Sequence, residues 1–338
     1  MHSKGKRFVR LLLSQGILIF FVLLCVYFQW ATGDAGAPFF QRFHGGDFFT
    51  GDVLRNVMLQ SAINTVLAVG MTLVIITAGI DLSVGSMLGF AGVVAMNVLL
   101  HASPVAGWWA RPDWWSMPVA IIASLLSAGL VGALCGLHNG LPITRLRVPP
   151  FIATLAVMTI ARGGAYLATD GFPVGPLPRA FTRAVGEGNI LGMPLLVIVA
   201  LGVAGVGHFL LTRTTFGRHV YAVGGSEQAA RLSGVAVNRV KMSVYTLCGL
   251  LSGLAGFLLA GRLGAGDPKS GLGFELNAIA AVVLGGTSLM GGVGTVLGTL
   301  LGAVVISSLN VGLVLMGVSE FYQMVIKGYV ILMAVVLD

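Results

Sequence analysis

Runs of about 20 apolar residues recur from one end of this chain to the other, and each is long enough to cross a hydrocarbon core roughly 30 Å thick. The first runs from Leu11 to Trp30, behind a basic start that holds Lys4, Lys6, Arg7 and Arg10. A signal peptide and a first membrane anchor both begin this way; the length of the run and the many spans after it favour an anchor. Further spans are expected at 58–80, 84–101, 117–137, 151–169, 191–211, 243–261, 276–290, 294–316 and 322–337. The expected fold is an all-α membrane protein of about ten transmembrane helices, one polytopic domain over 1–338. Only 9% of the residues are charged, against roughly 25% in soluble chains, so a soluble fold is excluded.

The 49 glycines fall at spacings that let helices touch. Gly85 and Gly89, Gly132 with Gly136 and Gly140, Gly249 and Gly253, and Gly294 with Gly298 and Gly302 each sit four apart, which argues close helix packing and says nothing about substrate. Cys25, Cys135 and Cys248 lie in separate apolar runs with no metal-type spacing, as buried thiols would. The formal net charge of +8 is dispersed between spans in no continuous stripe, so it reads as membrane topology, with no nucleic-acid partner.

With the amino terminus in the cytoplasm, the inside segments hold Lys4, Lys6, Arg7, Arg10, Arg145, Arg147, Arg213, Arg218, Arg231, Arg239 and Lys241. The outside segments hold Arg42, Arg55, Arg111, Arg179, Arg183, Arg262 and Lys269, the smaller set, so both termini are expected in the cytoplasm. Trp108, Trp109, Trp114 and Trp115 flank one outside loop as interfacial anchors, and Phe39 to Phe49 is expected as a short amphipathic element on the outer surface.

Polar residues inside apolar runs are the candidates for function. Asp81 and Ser83 interrupt a long apolar stretch; capping of the next helix is one reading and an ion site the other. Asn64, Thr154, Asn277, Asn310 and Gln323 are uncharged hydrogen-bonding groups suited to polyhydroxylated ligands, or else interhelical glue. Arg162 and Lys327 are expected to snorkel, in preference to touching substrate. Val84 to Gly89 also echoes Val293 to Gly298, each after a glycine-interrupted span, as paired broken helices at a midplane pathway would; a shared demand for small residues at two turns explains the echo equally well.

The loop 212–241 is the longest expected inside segment and reads as a docking element or as a merely solvated loop. Ser226 can cap a short helix from Glu227 to Ser233, and Gly234 can end it. No phosphate-cradling Gly-x-x-x-x-Gly-Lys-[Ser/Thr] segment exists. The six scattered histidines pair with no suitably spaced Cys, Asp or Glu, so no catalytic residue and no metal ligand is expected.

Three blocks carry a resemblance: MTLVIITAGIDLSVGSMLGFAGVV, then PPFIATLAVMTIARGGAYL, then FGRHVYAVGGSEQAARLSGV continuing into ELNAIAAVVLGGTSLMGGVGTVLGTLLGAVV. Together they resemble the permeases of the ribose, xylose and galactofuranose type of ATP-binding-cassette importer, over nearly the whole chain. The resemblance implies a fold like that of the cobalamin importer, a bacterial inner-membrane location in contact with lipid, and two permease chains, alike or different, around one pathway. Cytosolic ATPase subunits would bind ATP and Mg, leaving this chain without a cofactor, and a periplasmic binding protein would deliver a monosaccharide. It also implies that Ser226 to Gly234 is a coupling helix, with Glu227, Ala230, Arg231 and Gly234 among its key positions. Asn277 stands where such permeases often carry Asp. The rival expectation is a secondary transporter coupled to protons or sodium.

Overall fold

The computed structural model describes residues 2–102 and 113–336. The chain opens with α1 (His2–Ala31), the short α2 (Phe39–His44), α3 (Gly51–Ile76), α4 (Val84–Ala102), α5 (Asp113–Arg145) and α6 (Pro150–Leu167). One turn, α7 (Arg179–Phe181), runs into a π-helical turn at Thr182–Gly186, and a small antiparallel hairpin, β1 (Asn189–Ile190) and β2 (Met193–Pro194), pairs Ile190 with Met193. Then come α8 (Leu195–Arg213), α9 (Thr215–Gly225), α10 (Glu227–Leu232), α11 (Val237–Leu263), α12 (Phe274–Leu284), α13 (Val296–Leu315) and α14 (Glu320–Val336).

Seven helices among the described residues are long and apolar enough to cross a membrane: α3, α4, α5, α6, α8, α11 and α13. The chain is therefore a multi-pass, all-α membrane protein. Within the apolar stretch of α3, 89% of residues are buried, against 28% for α5, α6 and α8. Helix α3 is thus the axis of the bundle, and those three helices form its perimeter.

Lipid tails are as apolar as leucine, so helices here associate by close packing and not by escape from water. The seam between α5 and α11 shows how. A Cβ added at Gly132 would fall on the Gly249 carbonyl, one at Gly249 on the Gly132 carbonyl, one at Gly136 on the Tyr245 carbonyl and one at Gly253 on the Ala128 carbonyl. The stripes at Gly132 and Gly136 and at Gly249 and Gly253 are this antiparallel contact, whereas Gly85 and Gly89 lie against the backbone at Gly271 and Ser270, and Gly298 and Gly302 against that at Gly285 and Ala281. Hydrogen bonds add to packing between α3 and α13, where Asn64 Nδ2 donates to Ser307 Oγ at 2.8 Å and the Thr72 and Thr299 hydroxyls share a bond of 2.7 Å.

The expected span at 276–290 is not one helix. Helix α12 stops at Leu284, and Gly286, at φ 80, closes it: Gly286 N bonds Val283 O at 2.8 Å and Thr287 N bonds Val282 O at 3.1 Å. The chain then runs irregularly to Thr295, whose hydroxyl accepts from Gly298 N and caps α13. Helix α3 breaks similarly after Ile76, where Ala78 takes φ 57. The two irregular segments meet, with Gly292 N donating to Ile76 O at 2.9 Å. Each irregular segment thus helps to satisfy backbone groups that the other's broken helix leaves unpaired.

The element expected at Phe39 to Phe49 is split between surface and core. Phe40 is 77% exposed on α2, but Phe48 is buried against Phe28, ring centroids 5.4 Å apart, because Gln29 fastens the segment by bonding Phe43 O, Gly46 O and Phe49 N. Trp108 and Trp109, and the side chains of Trp114 and Trp115, lie outside the described residues.

Replacing Gly249 with leucine should lower thermal stability in detergent by about 3 kcal/mol or more, since the α5 backbone cannot yield as a side chain would. Gly205→Leu, where a Cβ meets nothing within 4 Å, should change it by less than about 0.5 kcal/mol. Melting curves of the two purified variants test the seam; equal curves would refute it.

Candidate functional site

At one end of the bundle, α3, α11, α12, α13 and α14 enclose a cavity of about 860 Å³. Its wall carries the amides of Asn56, Gln60, Asn277, Asn310 and Gln323, together with Asp52, Arg262, Glu320 and Lys327. Each amide donates and accepts, which suits a ligand whose hydroxyls do both. Asn310 Oδ1 is buried with no hydrogen-bond partner, an acceptor whose burial is costly unless a ligand or water fills it. Arg262 Nη2 bonds Asn56 Oδ1 at 2.5 Å, tying the end of α11 to the start of α3.

Of the polar residues singled out from the sequence, Asn277, Asn310 and Gln323 come together here. Asn64 does not: it is 2% exposed and spent on Ser307. Thr154 is fully buried and donates to Pro150 O on its own helix. The two residues expected to snorkel differ in their surroundings. Lys327 lines the cavity. Arg162 donates through Nη1 to Pro268 O at 2.5 Å and Ser270 O at 2.9 Å, because the turn between α11 and α12 presents unpaired carbonyls beside it.

Asp81 and Ser83 lie apart from this cavity, both fully buried. Asp81 Oδ1 accepts from Ser83 N at 2.9 Å and from Ser83 Oγ at 2.5 Å, and Asn139 Nδ2 of α5 reaches Asp81 Oδ2 at 3.2 Å and Ser83 Oγ at 2.8 Å. The carboxylate thus orders the turn before α4 by bonding a residue ahead of the helix, and does not cap free N–H groups inside it. Its donors are neutral groups. Asn139 was not legible as a partner in the sequence, since only the fold brings α5 beside residue 81.

The opposite end of the bundle carries α9 and α10. Ser226 Oγ accepts from Ala229 N at 3.2 Å, capping α10, and Gly234, at φ 84, ends it, with Val235 N bonding Ala230 O at 3.0 Å. Ala230 faces the bundle at 5% exposure, so it anchors the helix, while Leu232 is 89% exposed on the outside. An exposed leucine in an otherwise polar segment was a readable signal of a contact face. Glu227 bonds Arg231 at 2.9 Å and Lys241 at 2.6 Å. Behind α10, a Cβ at Gly224 would meet Ile76 O and Gly292 N, and Tyr221 OH donates to Gly294 O at 2.8 Å. The α9–α10 unit therefore touches both breaks in the bundle.

Residues 53–335 match the family described as branched-chain amino acid transport system / permease component. The chain belongs to that family. The ribose import permease protein RbsC of Escherichia coli (strain K12) is 43% identical to it over 298 residues, 86% of this chain and 87% of its own. RbsC of Bacillus subtilis (strain 168) is 45% identical over 286 residues, 84% of each. The xylose transport system permease protein XylH of Escherichia coli (strain K12) is 35% identical over 378 residues, 94% of this chain and 89% of its own. No solved structure matches the chain.

In such a permease a buried acid could be either an ion site or part of the frame, and the two differ in their effects. Asn139→Leu and Asp81→Asn should each lower stability by about 1–3 kcal/mol by leaving buried polar atoms unpaired. Neither should change the ion or pH dependence of uptake. Normal abundance with a selective loss of proton-dependent uptake would assign Asp81 to ion coupling instead.

Glu227 titrates below the ordinary glutamate range, first because Lys241 donates a hydrogen bond to it. A lowered folded-state value means that the pair stabilises α10 at neutral pH and loses that effect as pH falls below about 4. The protection factors of the α10 amides, exchange rates corrected for the intrinsic pH dependence, should therefore fall in acid, and Glu227→Gln should remove the step. An unchanged step in the variant would refute the link.

Proposed function

We propose that this chain is the membrane-spanning permease subunit of an ATP-driven importer of a monosaccharide of the pentose or hexose class. The observation that carries the proposal is the cavity whose wall gathers the amides of Asn277 and Asn310 with Asn56, Gln60 and Gln323, set at the far end of the bundle from a capped, outward-facing α10. The names of the ribose and xylose relatives support the sugar class. Separate ATPase subunits would bind ATP and Mg and drive transport, a periplasmic binding protein would deliver the sugar, and this chain would perform no catalysis.

Ten crossings are reached when α1, α12 with its irregular extension, and α14 join the seven long spans, an arrangement of the cobalamin-importer type. The end carrying α10 holds Arg145, Arg147, Arg213, Arg218, Arg231, Arg239 and Lys241 against one exposed acid among the described residues, Glu227, which supports a cytoplasmic location for it, with both termini on that side of a bacterial inner membrane. The amide cavity then opens toward the binding protein. A second permease subunit would close the pathway. The coupling segment within 212–241 would seat Glu227, Arg231 and Leu232 against the ATPase, with Ser226, Ala230 and Gly234 fixing the helix that carries them.

Coupling has a direct physical route. Gly224 and Tyr221 contact the ends of α3 and the approach to α13, and those same two helices carry Gln60 and Asn310 into the cavity. Movement of α10 would pass to the cavity through two continuous helices.

Reconstituted with its ATPase and binding protein, the parent chain should import pentoses or hexoses only with ATP. Leu232→Asp and Gly234→Leu should leave the fold intact and reduce coupled uptake more than tenfold, because about 2–3 kcal/mol at a small interface has that effect. Uptake that persists on an ion gradient without the ATPase would overturn the proposal, and parental uptake by both variants would remove α10 from coupling.

A further inference from the structure

We infer that the basic cavity between the α5–α6 turn and the start of α11 binds the phosphate headgroup of an anionic phospholipid. The cavity measures about 460 Å³, and its wall includes Arg145, Arg147, Arg231, Lys241, Asn238 and Glu227. Four cations face one carboxylate. Glu227 is already engaged by Arg231 and Lys241, and no other ion pair occurs among the described residues. Arg145 and Arg147 therefore bring two positive charges that the protein leaves without a carboxylate.

The backbone holds those charges in place. Arg147 has φ 56, in the left-handed region that glycine enters freely and other residues avoid. The turn is fixed by Leu146 N and Val148 N, both bonding Pro142 O at 3.1 Å. This is the left-handed end of α5, so the helix itself fixes where Arg147 sits beside Arg145. Phosphate oxygens between two guanidinium groups match this arrangement by charge and by donor geometry.

The surface beside the cavity selects a lipid as the source of the phosphate. Leu146 is 74% exposed between the two arginines, and Phe151 and Ile152, at the start of α6, are 54% and 56% exposed. Helix α6 lies on the perimeter with most of its apolar stretch facing outward. A headgroup in the cavity would lay its acyl chains along that face, whereas a free phosphate or an acidic protein side chain would use the charges alone. The inference depends on the chain residing in a membrane and holds whichever solute it carries.

Native mass spectrometry of the full chain in detergent tests it, with phosphatidylglycerol and phosphatidylcholine added separately. Phosphatidylglycerol should be retained at a concentration at least about tenfold lower. The paired change Arg145→Gln with Arg147→Gln should abolish most of that preference, and Arg213→Gln with Arg218→Gln, at the same end but outside the cavity, should leave it. Melting curves check that the first pair folds; if it does not, the parent chain decides alone, since equal retention of the two lipids overturns the inference. Undiminished preference in a folded first pair also overturns it. Inorganic phosphate retained as tightly as phosphatidylglycerol would mark a free-anion site, and a first pair that keeps its lipid but no longer holds the ATPase subunits would mark a protein docking face. Either result refutes the lipid assignment.

Discussion

The hydrogen bond from Gly292 N to Ile76 O joins the two places where the bundle gives up helical structure, and much of the architecture follows from the need to make it. Inside a bilayer a free N–H or C=O finds no water, and each one left unpaired costs several kcal/mol. Two broken segments packed together under α9 can satisfy one another. Glycine at 291 and 292, both at positive φ, brings the second segment close enough, and Gly224 lets α9 close over the junction without a side chain in the way. A larger residue at any of these positions would separate backbones that have no alternative partner.

That junction also separates two kinds of surface. Toward one end the bundle opens into a cavity lined with amides, able to bond hydroxyls weakly and in many orientations. Toward the other it presents a short, well-capped helix on a basic surface. On the proposed reading, weak contacts in the first would let a solute leave as easily as it enters, and rigid contacts in the second would let a displacement pass without being absorbed. The buried Asp81–Ser83–Asn139 cluster belongs to neither surface; it holds the turn before α4 against α5.

Much of this was legible in the sequence, where local signals sufficed. Apolar run length located the long spans, four-residue glycine spacing anticipated the α5–α11 seam, and Ser226 with Gly234 bounded α10 nearly to the residue. Signals that depend on tertiary contact were not legible. Nothing near residue 139 marks it as the partner of Asp81. Arg162 read as a snorkelling cation because the carbonyls it holds lie more than 100 residues away. Helix α12 read as a longer span because Gly285 and Gly286, which end it, look the same in sequence as glycines that merely allow close packing. Asn64 and Asn310 were alike by type, and only the fold divides them into a structural bond and a cavity wall.

Arg162 has a mechanical consequence. It projects from α6, a perimeter helix with most of its apolar stretch unburied, yet its guanidinium grips the carbonyls of Pro268 and Ser270, in the turn that leads into α12 and the rim of the amide cavity. Helix α6 has 18 residues, a rod of about 27 Å. Its tilt is answerable to bilayer thickness and lateral pressure. A change in that tilt must either carry the rim along or break two charge-assisted bonds, so the lipid around this chain has a tether on the mouth of its cavity.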